Sequence, residues 1–144
     1  MRKINDAGLA IIKKYEGLKL EPYICPGGYL TIGYGHLINQ DTEEFDTITE
    51  KEAEELLKQD VAQFEAIVNG IVDVELNDNQ FSALVSWTYN LGGKNLQNST
   101  MLKKINNNQH LEVPSEMLRW IFAGGSALLG LLRRRIEEAR LYVQ

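Results

Sequence analysis

The sequence of 144 residues contains one cysteine, two histidines and three prolines. A single cysteine cannot form an intramolecular disulfide, so folding does not depend on an oxidising compartment. No apolar run approaches the ~18 residues needed to cross a bilayer, and the N-terminus opens an amphipathic segment. We therefore expect no signal peptide, no transmembrane segment and no stable membrane association.

Basic residues are also in short supply, with 15 Lys and Arg against 20 Asp and Glu and a formal net charge of -5. This balance argues against nucleic-acid binding, although Arg133, Arg134 and Arg135 form a local basic cluster. The two histidines, His36 and His110, are too few and too far apart in sequence to suggest a metal site.

The first helix is predicted to begin after Asn5 as its N-cap and to end at Glu16, with Gly17 as the residue that terminates it. A carboxyl group in the last turn faces the negative end of the helix dipole, which favours its protonated form. A nearby arginine would favour the ionised form instead, so the sequence leaves this balance open.

The helical period is lost between Lys19 and Leu37, where a small antiparallel sheet is predicted with a tight turn at 26–28. Gly33 and Gly35 leave one face of the second strand without side chains. Either another chain or a ligand approaches the backbone there, or the glycines form a bulge or bend.

The remainder is mainly helical. Capping boxes at 49–52 and 77–80 open two helices, and the acidic residues of the first, Asp60 included, are predicted to be solvated. The predicted helices cover residues 49–69, 77–91, 100–106, 115–121 and 131–142. This order predicts a single α+β domain spanning 1–144, with a small β-containing lobe, a larger helical lobe and a ligand cleft between them. The small lobe is expected at about 15–60 and the helical lobe at about 1–14 and 61–144.

Three polar side chains, Glu16, Cys25 and Thr31, lie on three successive short elements and are the candidate catalytic residues. Their spacing, followed by Ile-Gly-Tyr-Gly-His-Leu at 32–37, resembles the phage-type lysozymes of glycoside hydrolase family 24. The pattern of that family is Glu, then Asp after eight intervening residues, then Thr after five more. Residues 83–92 and 118–135 resemble two further stretches of the family.

This resemblance implies a lysozyme-like fold and a muramidase that needs no cofactor. Its reaction would be hydrolysis of the β-1,4 bond between N-acetylmuramic acid and N-acetylglucosamine in bacterial peptidoglycan. In the family the Glu protonates the leaving oxygen, while the Asp and Thr position and activate a water, with inversion at the anomeric carbon. The implied endolysin is a monomer held in the host cytoplasm until a separate holin releases it to the periplasm and cell wall.

The resemblance also implies roles for residues outside the catalytic pattern. Substrate contacts are expected at Leu37, Tyr89 and Ser99, with Tyr89 either stacking on a sugar or packing in the protein. An arginine that orients the catalytic Glu in the family would correspond to Arg133, Arg134 or Arg135.

Cys25 departs from the family pattern because it stands where the family has Asp. Glycoside hydrolysis ordinarily uses two carboxyl groups, and a thiol with its usual pKa near 8.5 is only slightly ionised at pH 7. Three interpretations are open: Cys25 replaces the Asp chemically, Glu16 alone supports a slower enzyme, or the chain is a catalytically silent peptidoglycan-binding module.

Overall fold

The computed structural model describes residues 1–144 and contains seven α-helices, a three-stranded antiparallel sheet and a separate two-stranded hairpin. This content confirms the predicted α+β class. In chain order the elements are α1 (Asp6–Glu16), β1 (Lys19–Ile24), β2 (Leu30–Gly33), β3 (His36–Leu37), α2 (Glu50–Ile71), α3 (Asp78–Leu91), α4 (Gly93–Gln97), α5 (Thr100–Asn106), a 3-10 turn (His110–Glu112), α6 (Val113–Met117), β4 (Phe122–Ala123), β5 (Ser126–Ala127) and α7 (Leu129–Tyr142).

The chain divides into two compact units, of which the smaller is Glu16–Ala62. Its sheet has the order β1-β2-β3, with Thr31 opposite Tyr23 on one side and Leu37 on the other. The core of this unit consists of Ile32, Tyr34, Ile48, Ala53, Leu57 and Val61.

Gly33 shows why the second strand contains glycine. A Cβ at this position would lie 3.5 Å from the Cβ of Ala53, and the residue has a φ of +69°. The absent side chain lets the strand backbone approach helix α2, and the positive φ suits glycine. The backbone is thus closely approached at this glycine, but the neighbour is another segment of the same chain rather than another chain or a ligand.

The larger unit comprises Met1–Tyr15 and Gln63–Gln144. Helix α3 forms its centre, because every residue from 81 to 88 is buried, as expected of a helix surrounded by others. The predicted capping box is present: Asn77 Oδ1 accepts a hydrogen bond from Gln80 N, and the Gln80 side chain accepts one from Asn77 N.

A buried ionic network joins α3 to α7 within this unit. Glu138 accepts hydrogen bonds from Ser86 Oγ at 2.6 Å and from Arg134 Nε at 3.2 Å. Arg135 Nε lies 2.9 Å from the other oxygen of Glu138, and Arg135 also donates to Asn90. Removing Glu138 would leave two buried guanidinium groups without their carboxylate, and removing the partner of a buried charge is strongly destabilising.

A short helix is present where residues 115–121 were predicted to form one, but its predicted end is wrong. The helix there, α6, ends at Met117, and Trp120 lies outside it, packed edge-on to Trp87 with ring centroids 5.3 Å apart. The following residues form the hairpin β4–β5, whose turn contains Gly124 and Gly125, both with positive φ. Two-residue strands carry too little periodic pattern to be distinguished from the end of a helix.

Candidate active site

The turn between β1 and β2 brings Cys25 and Thr31 together. Within it, Cys25 N donates to Tyr29 O at 2.9 Å and Gly28 N donates to Cys25 O at 2.8 Å. The Thr31 hydroxyl donates to the same Tyr29 carbonyl at 2.9 Å and also lies within hydrogen-bonding reach of the Cys25 sulfur. Two of the three candidate catalytic residues are thus held by one short loop.

The surroundings of the Cys25 sulfur favour its ionised form. The pKa of this thiol is lowered, most of all by the Thr31 hydroxyl and next by the backbone N–H of Tyr29. Partial burial raises the pKa by a smaller amount, and the backbone amides of Gly27 and Gly28 lower it slightly further. The hydroxyl of Thr31 has one hydrogen, so turning it from the Tyr29 carbonyl to the sulfur would stabilise a thiolate directly.

Glu16 ends helix α1, as predicted, and Gly17 follows it with a φ of +75°. Its carboxyl group lies against the backbone of Gly35, where an added Cβ would be 3.2 Å from Glu16 Oε1. Gly35 also has a φ of +89°. A residue with a side chain at this position would therefore be strained and would crowd the carboxyl group.

The three predicted substrate contacts occupy different settings. Leu37 is 57% exposed and is the register partner of Thr31 across the sheet. Tyr89 is half-buried, and its ring packs against Phe64 with centroids 5.3 Å apart. Tyr89 therefore has a packing role, and a sugar contact at Leu37 or Tyr89 stays a prediction.

Ser99 is buried and caps helix α5. Its hydroxyl accepts from Leu102 N at 3.0 Å and donates to Leu96 O at 2.7 Å, which leaves one lone pair for any other partner. It borders a cavity of about 430 Å³ whose other lining residues include Glu116, Arg119, Trp120 and Phe122. A substrate contact at Ser99 stays a prediction.

Two of the three clustered arginines form ion pairs within the larger unit. Arg134 and Arg135 are buried on Glu138, and Arg134 also donates to Ser86 O at 3.0 Å, whereas Arg133 is exposed. Which of the three orients Glu16 stays a prediction.

Sequence reasoning missed the partner of His36. Nδ1 of His36 lies 2.9 and 3.0 Å from the two oxygens of Asp60, and Nε2 lies 3.0 and 3.1 Å from those of Glu43. Burial lowers the pKa of His36, but hydrogen bonds to the two carboxyl groups and their negative charge outweigh it, so that the pKa is raised. The prediction that Asp60 is simply solvated is therefore wrong. No local signal could have revealed a pair separated by 24 positions.

No group of three or more His, Cys, Asp or Glu residues is arranged so that it could hold a metal ion. None of the helices is both long enough and apolar enough to span a bilayer.

Comparison with known proteins places this geometry in a family. The model of the phage lysozyme family matches residues 13–138. The endolysin of Acyrthosiphon pisum secondary endosymbiont phage 1 is 37% identical over 143 residues, covering 96% of this chain and 97% of the relative. The endolysin of Bacillus phage B103 is 37% identical over 142 residues, covering 97% of this chain, which spans only 54% of that longer protein. The crystal structure of a P22 lysozyme mutant is 31% identical, with a TM-score of 0.90 and full coverage of both chains.

The chain therefore belongs to the phage lysozyme family. It is a glycoside hydrolase, a muramidase that acts on bacterial peptidoglycan as an endolysin, which confirms the activity implied by its sequence. The lysozyme-like fold is confirmed as well.

Proposed function

We propose that this muramidase uses Glu16 as its proton donor and the Cys25 thiolate in place of the second carboxylate. The observation that carries the proposal is the contact of the Thr31 hydroxyl with the Cys25 thiol, in a turn where Cys25 N and the Thr31 hydroxyl both donate to the Tyr29 carbonyl. Thr31 is only 2% exposed, so it would act mainly through the sulfur that it orients.

The proposed reaction transfers two protons. Glu16 gives its proton to the glycosidic oxygen as the bond to the anomeric carbon breaks, and water attacks that carbon from the opposite face. The Cys25 thiolate takes a proton from the attacking water and becomes a thiol, while Glu16 becomes a carboxylate. Lowering the pKa of Cys25 serves this step because only the thiolate can act as the base.

Lysis of permeabilised Gram-negative cells, followed as loss of turbidity, tests the proposal. We expect Glu16→Gln to abolish clearing, Cys25→Ala to slow it by about 10²-fold, the loss typical of a missing general base, and Cys25→Asp to retain or raise the wild-type rate. Iodoacetamide should inactivate the wild type and leave Cys25→Asp unaffected.

The pH profile provides an independent readout. The wild type needs a thiolate, so its activity should rise at a higher pH than that of Cys25→Asp, whose carboxyl group ionises near pH 4. Undiminished clearing by Glu16→Gln would refute the donor assignment. Full activity of Cys25→Ala would remove any chemical role for the thiol. Wild-type protein that pellets with purified wall but clears no cells would favour a silent binding module.

We further propose that residues 1–144 act as one monomeric domain, held in the host cytoplasm until a separate holin permeabilises the membrane. Expression without a holin should leave cells intact until chloroform is added, and spontaneous lysis would contradict this dependence. Size-exclusion chromatography with light scattering should give the mass of one chain, 16.3 kDa.

A further inference from the structure

Tyr29 combines a fixed backbone with an exposed side chain. Its carbonyl accepts hydrogen bonds from both Cys25 N and Thr31 Oγ1, each at 2.9 Å. The residue is nevertheless 64% exposed. The residue is thus attached through its main chain to both members of the proposed catalytic pair, while its ring contributes little to the core.

The ring borders the same space as the Cys25 sulfur. A Cβ placed on Gly27 would lie 3.4 Å from Cδ2 and 3.6 Å from Cε2 of Tyr29, and 3.7 Å from Cys25 Sγ. The ring edge and the sulfur therefore flank one gap above Gly27. Because residue 27 has no side chain, that gap stays open beside the sulfur.

An exposed aromatic side chain next to a sugar-cleaving site has a clear chemical use. One face of a pyranose ring consists largely of C–H groups and can stack on a phenol ring, burying apolar area. A tyrosine loses little conformational freedom on binding, and here the loop hydrogen bonds have already fixed its backbone.

We propose that the Tyr29 side chain is a stacking platform for a pyranose ring of the peptidoglycan glycan, placed beside Cys25 by the turn that holds both residues. The proposal rests on the proposed function of Cys25 and Thr31. It adds a specificity-determining residue that recognises the apolar face of a sugar and takes no part in proton transfer.

The test measures binding separately from cleavage. Titration of a peptide-free glycan hexasaccharide, prepared from bacterial wall, into Glu16→Gln protein gives a Kd without turnover. Adding Tyr29→Ala should raise this Kd about tenfold, as expected when an aromatic contact is lost, while Tyr29→Phe should stay within about twofold. In the active enzyme, Tyr29→Ala should raise KM similarly and change kcat little.

Ile24→Ala is the matched control, because Ile24 is 63% exposed at the end of the same strand pair. Its Kd should equal that of the parent. A second variant, Gly27→Ala, places a methyl group in the gap and should also raise the Kd, with Tyr29 and the catalytic residues intact.

An unchanged Kd in Tyr29→Ala would refute the stacking proposal. An equal rise of the Kd in Tyr29→Phe would also refute it, because the hydroxyl rather than the ring face would then bind the glycan. These outcomes differ from failure of the catalytic proposal. That failure would appear as full activity in Cys25→Ala, whereas the Kd comparison reports on Tyr29 alone.

Discussion

Replacing His36 by Asn tests whether its two carboxylate partners stabilise the smaller unit. The side chain of His36 is 12% exposed, and those of Asp60 and Glu43 are 26% and 28% exposed. Hydrogen bonds to charged groups contribute about 1.5–3 kcal/mol each when well shielded from solvent. Discounting the sum for the partly exposed carboxylates, we expect His36→Asn to lower the free energy of unfolding by about 2–3 kcal/mol at pH 5.5.

The stabilisation by His36 should decrease as the pH rises. The pKa of His36 is raised in the folded protein, so the stabilisation is complete below the unfolded-state value near 6.5 and is lost as the pH rises through the folded value. Burial raises the pKa of Asp60 despite its contact with His36, so ionising this carboxyl group costs stability from about pH 4 upwards. Between pH 6 and 9.5 the titration of His36 should therefore determine how the stability changes with pH.

Urea unfolding followed by tryptophan fluorescence at several pH values measures these effects. The difference between wild type and His36→Asn should fall from about 2–3 kcal/mol at pH 5.5 towards about 1 kcal/mol at pH 9.5, the contribution of a neutral hydrogen bond. At pH 5.5 the melting temperature should drop by about 4–12 °C for a chain of this size.

His110→Asn is the control for the loss of an imidazole, since His110 Nδ1 pairs with the hydroxyl of Tyr142 at 2.7 Å rather than with a carboxyl group. A difference for His36→Asn that is absent at pH 5.5, or grows towards pH 9.5, would refute the reasoning.

Two further substitutions test the contact of Gly35 with Glu16 and the hydrogen bond of Tyr15. Gly35→Ala should lower the free energy of unfolding by about 1–2 kcal/mol because residue 35 has a positive φ, and should also reduce kcat severalfold by displacing Glu16. Gly125→Ala is the control, because Gly125 has a φ of +82° and nothing near an added Cβ, and it should show the loss of stability alone. Equal kcat values in the two variants would contradict the crowding of Glu16. Tyr15→Phe removes a hydroxyl that donates to Glu137 and whose pKa burial and Glu137 raise to about 12, so urea unfolding should show a loss of about 1 kcal/mol. Glu137→Gln keeps an acceptor for the Tyr15 hydroxyl, so its free energy of unfolding should fall by less. An unchanged free energy of unfolding in Tyr15→Phe would show that the hydrogen bond to Glu137 does not stabilise the protein.

Local chemistry explains which parts of the fold could be predicted from sequence. The capping boxes of Thr49 with Glu52 and of Asn77 with Gln80 form within four residues, and both are present as predicted. The helix end at Glu16 followed the same logic, because a glycine with positive φ terminates a helix.

What escaped prediction depends on distant partners. The two oxygens within reach of His36 Nδ1 belong to Asp60. Asp60 lies on helix α2, whose acidic residues were all predicted to face solvent. Trp120 fits a helical spacing, yet its edge-on contact with Trp87, 33 positions earlier, lies beyond the end of α6. In the candidate site, the family resemblance supplied the residues, whereas the contact between Cys25 and Thr31 required the structure.

The turn that carries Cys25 is closed by main-chain hydrogen bonds, from Cys25 N to Tyr29 O and from Gly28 N to Cys25 O. Neither bond uses the side chain at position 25. The loop can therefore exchange a thiol for a carboxyl group by one substitution while keeping its shape. Under the proposed mechanism, in which residue 25 is the base, the pH range of the enzyme is a separately adjustable trait, open to selection or engineering without rebuilding the scaffold.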